Sequence, residues 1–334
     1  MSGSQGALKA IVPVAGVGTR LRPHTHTTPK ALLYVAGKPI LAHILDDLVT
    51  LGVREAVLVV GHMGERIREY VDARYGGGPL RVAYAEQKEP QGLGHAIRLA
   101  APEVRGHPAL ILLGDTIFRA DLSQLLAAGT SAIGVTEVED PRRFGVVEVQ
   151  DGRVVRLVEK PEVPPSRLAI AGVYYLSADA PLFDCLDELV RRDLRTRGEY
   201  QLTDALQLVV ERGHRLRPFP VAGWYDCGKT ETLLETNRLL LDLVGGEPSV
   251  PGSVVRGPVV IEAGAEIVGS VIGPHVSIAA GARVVNCVVR NSIINPNASV
   301  ENILLDASVL GENAVAQGTF QQLNVGDSSE VRFL

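Results

Sequence analysis

Residues 10–30 read AIVPVAGVGTRLRPHTHTTPK. The run Ala10-Ile11-Val12-Pro13-Val14 is short and apolar, as a buried strand is, and it enters a loop that carries Gly16 and Gly18. Before the loop reaches Lys30 it has also offered Arg20 and Arg22. Glycines let a backbone approach an anion and turn its N–H groups toward it. Arginine adds a planar fork of donors that matches phosphate, and lysine a compact point charge. The stretch is therefore predicted to grip a polyphosphate at the end of a strand of an α/β sheet. It is neither of the commonest phosphate loops. A dinucleotide fingerprint needs a third glycine where Leu21 stands and an acidic residue where Gly61 stands, and Gly37-Lys38 is followed by Pro39 rather than by the Ser or Thr of a Walker loop. Gly16 and Gly18 alone would describe an ordinary strand-to-helix turn. Thr19, Arg20, Pro29 and Lys30 at this spacing favour binding.

Outward from this loop, strand and helix signals alternate. Apolar runs at 10–14, 56–60 and 109–113 predict buried strands, and helical spacing over 40–51, 64–75 and 94–101 predicts the helices between them. That alternation implies a Rossmann-like mixed, mostly parallel sheet. Strands are expected again at 132–138, 146–149 and 154–158, with Asp151-Gly152 as a hairpin turn, and helices at 180–192, 202–211 and 230–243. Gly245-Gly246-Glu247-Pro248 then breaks the chain. Beyond it aromatic residues vanish until Phe320. Small aliphatics recur at intervals of six: Val254 and Val260; Ile272, Ile278 and Val284; Ile294 and Val300; Val309 and Val315. Glu266 and Arg290 interrupt the first frame. The period predicts a β-helix of stacked hexapeptide coils, against a plain β-sandwich with regular turns. Two domains are expected, 1–245 and 246–334, the second ending in a C-terminal tail.

Composition narrows the function classes. Hydrophobic residues make up 46% of the 334 residues and charged residues 21%, as in an ordinary globular protein. The formal net charge of −5 argues against a nucleic-acid surface, so an anionic substrate must meet local basic groups. No apolar run reaches membrane-spanning length, and the leader, residues 1–6, lacks the charged and apolar regions of a secretion signal. Three scattered cysteines, Cys185, Cys227 and Cys287, indicate neither a disulfide framework nor a zinc site, and a reducing cytoplasm is the simplest location.

Two aspartates stand where magnesium chemistry could use them. Asp115 follows a buried strand, at the edge where open α/β sheets bind ligands, and Asp226 lies in Trp224-Tyr225-Asp226-Cys227-Gly228. By themselves both could equally cap a turn or a helix. Gln87 could read the edge of a pyrimidine or be a polar loop residue.

Gly-x-Gly-Thr-Arg-Leu-x-Pro from residue 16, Pro29-Lys30 and Val35-Ala36-Gly37-Lys38-Pro39-Ile40 together resemble the sugar-1-phosphate nucleotidylyltransferase family. The resemblance is closest to glucose-1-phosphate thymidylyltransferases and uridylyltransferases of the long form, which carry a left-handed β-helix. It spans nearly the whole chain, with motifs in order at Arg20, Lys30, Gln87, Asp115, Glu159-Lys160, Gly172 and Asp226. The opening Pro13-Val14-Ala15-Gly16 departs from the usual Leu-Ala-Gly-Gly.

The resemblance implies roles. Ala15, Gly16, Gly18, Thr19 and Arg20 would hold the nucleotide, with Gln87 and Gly92 on the base and Lys30 on the triphosphate. Asp115 and Asp226 would share one Mg²⁺. Glu159 would bind sugar hydroxyls and Lys160 the sugar phosphate, with Gly145, Gly172 and Arg197 around them. The implied activity transfers a nucleoside monophosphate from dTTP or UTP to glucose 1-phosphate, releasing pyrophosphate. The rival functions are a hexapeptide-repeat acyltransferase using His275 and a catalytically silent nucleotide-sugar sensor. Small-molecule substrates and a homo-oligomer are expected, with no nucleic-acid or membrane partner.

Overall fold

The computed structural model describes residues 6–319. The first five leader residues and the tail from Phe320 lie outside the described residues. The chain divides into two compact units: residues up to Leu33 with Lys38–Leu233, and Tyr34–Gly37 with the chain from Leu234. The division falls inside the helix Thr230–Val244, ahead of the Gly245-Gly246 pair. Among the described residues no helix is long and apolar enough to cross a membrane.

The first unit is built on a nine-stranded mixed sheet. Its parallel half comprises β1 (Lys9–Pro13), β2 (Glu55–Val60), β3 (Arg81–Glu86) and β4 (Ala109–Leu112), in the spatial order β4-β1-β2-β3. Ala10, Ile11 and Val12 of β1 are fully buried, as its unbroken apolar run requires. A short strand, β5 (Thr116–Arg119), stands outside this sheet. The other half is formed by β6 (Ala132–Glu137), β7 (Gly145–Gln150), β8 (Arg153–Glu159), β9 (Leu168–Leu176) and β10 (Arg217–Pro220). Strand β9 runs antiparallel to β4, β6 and β7 and so joins the halves. Asp151 (φ 50°) and Gly152 (φ 71°) make the tight turn between β7 and β8. Finally β11 (Gly223–Asp226) pairs antiparallel with β5, matching Asp226 to Thr116. Helix α1 (Ile40–Thr50) buries Ile40, Leu41, Ile44, Leu45 and Leu48, the one-sided spacing of an amphipathic helix.

In the second unit three parallel four-stranded sheets form the faces of a β-helix, consistent with the expected left-handed type. Val255, Ile272 and Val289 stack in one inward column, Ile278 and Ile294 in another, Ile267, Val284 and Val300 in a third. The coils are shorter than a strict hexapeptide frame demands. Val255 to Ile272 spans 17 residues, and Val289 to Leu305 only 16. The face carrying Ile272 and Val289 is reached after five residues rather than six (Ile267 to Ile272, Val284 to Val289). A fixed six-residue frame therefore slips. Ile272, Ile278, Val284, Ile294 and Val300 are buried as predicted, but Val254 and Val315 point outward at 47% and 76% exposure. Inside the coil their places are taken by Val255 and Ala316. Adjacent aliphatics such as Val254-Val255 cannot be told apart by composition, and Val254, Val271, Val288 and Leu304 form an outward aliphatic column. The corners explain the abundant Asn: Asn286 and Asn302, like Asn297 and Asn313, hold left-handed backbone that a short polar side chain tolerates. His275 Nε2 is paired with Asp242 at 2.8 Å.

Candidate active site

The loop after β1 is folded onto Lys30. Gly18 has φ 67°, and a Cβ there would stand 3.0 Å from the Lys30 Cβ, so glycine serves both the turn and the close approach. Thr25 Oγ1 donates to the Gly18 carbonyl at 2.8 Å. The chain then makes a single turn of 3-10 helix, Thr19–Leu21, that buries Leu21 and leaves Arg20 outward. Lys30 itself is buried, and its Nζ lies 2.8 Å from Asp115 Oδ2.

Two adjoining depressions share Leu93, Leu113 and Asp115. The first, about 330 Å³, is lined by Ala15, Gly16, Lys30, Gln87 and Gly92. The second, about 570 Å³, is lined by Arg20, Gly145, Glu159, Lys160, Gly172, Arg197 and Asp226. Both volumes lie in the range of small-molecule sites. The predicted site residues thus gather around one cleft, except that Gly18 and Thr19 are on neither wall. Gly18 packs behind Lys30, and Thr19 opens the turn that carries Arg20.

The two aspartates come from distant sequence but neighbouring backbone. Asp115 follows β4 at its carboxyl end, and its carbonyl accepts from Cys227 N at 3.2 Å, directly after Asp226. Both Asp226 oxygens and Arg20 Nη2 lie within 3.3 Å of the place a Cβ on Gly228 would take, so that glycine leaves room for an acid and a cation side by side. Burial works to raise the Asp115 carboxyl. The Lys30 charge and hydrogen bond, together with the Thr116 hydroxyl at 3.2 Å, outweigh burial and hold the group below the ordinary carboxylate value.

The second depression has its own hydrogen-bonded floor. Glu159 Oε2 accepts from Thr203 Oγ1 at 2.6 Å, and Glu159 Oε1 is 3.4 Å from Lys160 Nζ. A Cβ on Gly145 would meet Thr203 Oγ1 at 2.9 Å, so only glycine leaves this pair open to the cleft. Arg197 Nη2 donates to the Lys160 carbonyl at 2.9 Å, fixing two cations of the rim together.

Arg142, Arg143 and Thr203, to which the sequence reading assigned no role, line this depression together with Phe144, Tyr174 and Trp224. Trp224 and Phe144 meet edge to face, with ring centres 4.7 Å apart, and form an aromatic wall. The adjacent Arg142-Arg143 and the chain's single tryptophan, two residues before Asp226, were the available signals. Arg20, Lys30, Arg142, Arg143, Lys160 and Arg197 together outnumber Asp115, Glu159, Glu199 and Asp226. The cleft is therefore locally basic in a chain of net charge −5.

Among the described residues no group of three or more His, Cys, Asp or Glu could hold a metal ion. Magnesium needs fewer protein ligands, one or two carboxylates completed by phosphate oxygens and water. Asp115 and Asp226, on one cleft lined also by Arg20, Lys160 and Arg197, fit that donor set.

Residues 9–242 match the nucleotidyl transferase family. The chain belongs to that family. Among its curated relatives, the low-salt glycan biosynthesis nucleotidyltransferase Agl11 of Haloferax volcanii is 37% identical over 245 residues, 70% of this chain and 66% of the relative. A glucose-1-phosphate thymidylyltransferase of Streptomyces antibioticus is 36% identical, covering 78% of this chain and 74% of the relative. The UTP–glucose-1-phosphate uridylyltransferase AglF of Haloferax volcanii is 36% identical, covering 70% and 96%. Among solved structures, a UDP-glucose pyrophosphorylase complexed with UDP-glucose superposes with a TM-score of 0.61 at 27% identity, over 71% of this chain and 99% of that one. The chain thus spans from about two thirds to nearly all of the length of these nucleotidyltransferases.

Proposed function

We propose that the chain joins a pyrimidine nucleoside triphosphate, dTTP or UTP, to glucose 1-phosphate and releases pyrophosphate. The observation that carries this reading is Asp115, which lies on the shared wall of two depressions, with Lys30 on one side and Asp226 and Arg20 on the other. A residue so placed can meet the one atom on which both substrates converge, the α-phosphorus.

In the proposed reaction a phosphate oxygen of the sugar phosphate attacks the α-phosphorus of the nucleotide. The new P–O bond forms as the bond to the β-phosphate oxygen breaks, and the electron pair leaves with pyrophosphate. The nucleophile is already ionised, so no general base is required. The protein's task is alignment and charge stabilisation. Arg20 and Lys30 hold the triphosphate and meet the charge that develops on the leaving group. Lys160 and Arg197, tied together through the Lys160 carbonyl, place the sugar phosphate. Glu159, held by Thr203, accepts from sugar hydroxyls, while the Phe144–Trp224 wall packs against the sugar's C–H face. Bound at Asp115 and Asp226, Mg²⁺ would neutralise charge on the α-phosphate.

Thymidylyl and uridylyl relatives support the pyrimidine choice. We also infer a homo-oligomer assembled through the β-helix and a cytoplasmic location, the latter supported by three buried cysteines that form no disulfide among the described residues. Pyrophosphate release measured across the common nucleoside triphosphates and several sugar 1-phosphates, with Mg²⁺ or EDTA, tests the reading. Turnover confined to a pyrimidine nucleotide with glucose 1-phosphate and Mg²⁺ supports it. Absence of turnover with every pair overturns it.

A further inference from the structure

The nucleotide side of the cleft holds a hydrogen-bonded pair that the proposed chemistry does not use. Gln87 follows β3 and is buried, 7% exposed. Its Nε2 lies 3.1 Å from the Gly92 carbonyl oxygen and 3.0 Å from His95 Nδ1. Only the amide nitrogen can face a carbonyl oxygen, so the Gly92 contact fixes which way round the amide sits. One N–H then goes to Gly92 and the other to His95. Nδ1 of His95 must accept, which leaves the imidazole proton on Nε2. Both donors of Gln87 are committed, and what the side chain can offer a ligand is its carbonyl oxygen alone.

We propose that His95 is a positioning residue: by accepting the second N–H of the amide it acts with the Gly92 carbonyl to hold Gln87 in this polarity, so the cleft selects a base whose edge carries a ring N–H. The inference rests on the nucleotide site proposed above, but not on the identity of the sugar. Uracil and thymine present N3–H to an acceptor. Cytosine N3 and adenine N1 present lone pairs, and lone pair against lone pair leaves two buried acceptors unsatisfied. Guanine carries N1–H, so this polarity does not reject it.

The surroundings hold the pair in place. Gly92 has φ 105°, and a Cβ there would lie 2.6 Å from the Tyr200 carbonyl, so glycine alone permits the loop path that aims the Gly92 carbonyl at Gln87. The same loop is bonded on its other side by Tyr200 N to the Gln91 carbonyl (2.9 Å) and Gly94 N to the Tyr200 carbonyl (2.8 Å). The His95 ring lies 6.5 Å from the Tyr200 ring. Burial lowers the His95 pKa, Arg98 and Arg195 act the same way, and Glu89 opposes them. The imidazole is therefore neutral at neutral pH and able to accept.

The test measures binding of UTP, dTTP, CTP and GTP to the full chain by calorimetry, alongside kcat/KM for each. The variants are His95→Leu, which removes the acceptor, and His95→Asn, whose amide oxygen can stand where Nδ1 stands. Wild type is expected to prefer UTP or dTTP to CTP. His95→Leu is expected to narrow that ratio about tenfold or more, and His95→Asn to restore most of it. A role confined to stability would weaken all nucleotides alike and leave the ratio unchanged. A His95→Leu ratio within twofold of wild type overturns the inference. Should His95→Leu not fold, His95→Phe serves instead. It keeps a ring but offers no lone pair to Gln87, so the UTP-to-CTP ratio must narrow, and an unchanged ratio overturns the inference. Wild type that binds UTP without turning it over defeats the proposed activity, while the binding ratio still decides the role of His95.

Discussion

Lys30 and Asp115 form an ion pair whose two halves live in different surroundings: the lysine side chain is 9% exposed and the aspartate 47%, across 2.8 Å. The lysine is therefore anchored from behind. The aspartate lies deep enough in the cleft for burial to act on it, yet it is the half a ligand can reach. Asp115→Asn keeps the shape and the hydrogen bond to Thr116 but removes the charge. The expected result is a fall in kcat of about 10²–10³ with an unchanged circular dichroism spectrum. Near-normal turnover would show that the proposed reaction does not pass this residue.

Thr203→Val tests the floor of the sugar side. It deletes the 2.6 Å bond to Glu159 while keeping the volume. Glu159 loses a donor worth about 1–2 kcal/mol. KM for the sugar phosphate should rise roughly 5- to 30-fold, with KM for the nucleotide little changed. Steady-state kinetics with each substrate varied in turn separate the two.

Asp204 gives a pH-dependent stability. Burial raises its carboxyl pKa, Glu159 adds to the rise, and a hydrogen bond from Thr196 opposes it. The native state then holds this proton more tightly than the unfolded chain does, so stability falls as pH rises from the unfolded pKa through the folded one. At pH 7 the ionised carboxylate destabilises the fold. Asp204→Asn should raise Tm at pH 7 and give no gain near pH 3.5, where the group is largely protonated in the native state. A Tm gain equal at both pH values would contradict the assignment.

In the second unit Asn237 is 1% exposed and serves three partners. Its Oδ1 accepts from Ala36 N (2.8 Å) and Ser277 Oγ (2.5 Å), and its Nδ2 donates to the His275 carbonyl (3.4 Å). Asn237→Ala strands two buried donors, each costing about 1–3 kcal/mol. Chemical denaturation should show a loss of a few kcal/mol in the transition that reports the β-helix.

Much of this architecture was legible in the chain because backbone period and burial write directly into sequence. The runs at β1, β2 and β4 are continuous apolar segments, and Asp151-Gly152 turned where predicted. What was not legible depended on three-dimensional return. Thr203 reaches Glu159 from a helix 44 residues away, and its residue type carries no mark of that. Arg142 and Arg143 lie in the 3-10 turn that leads into β7, and only the fold brings them to the rim. The β-helix frame failed at Val254 because the corners, not the strands, set the coil length.

The loop that presents Gly92 and the segment that follows Arg197 share two main-chain bonds through Tyr200, one to Gln91 and one to Gly94. These bonds ignore side-chain identity, so the coupling survives almost any substitution in either loop. A chimera that imports residues 195–201 from a relative would also shift the loop that carries Gln91 and Gly94. Under the proposed activity, engineering should exchange the two segments together, so that a change aimed at one substrate does not disturb the site of the other.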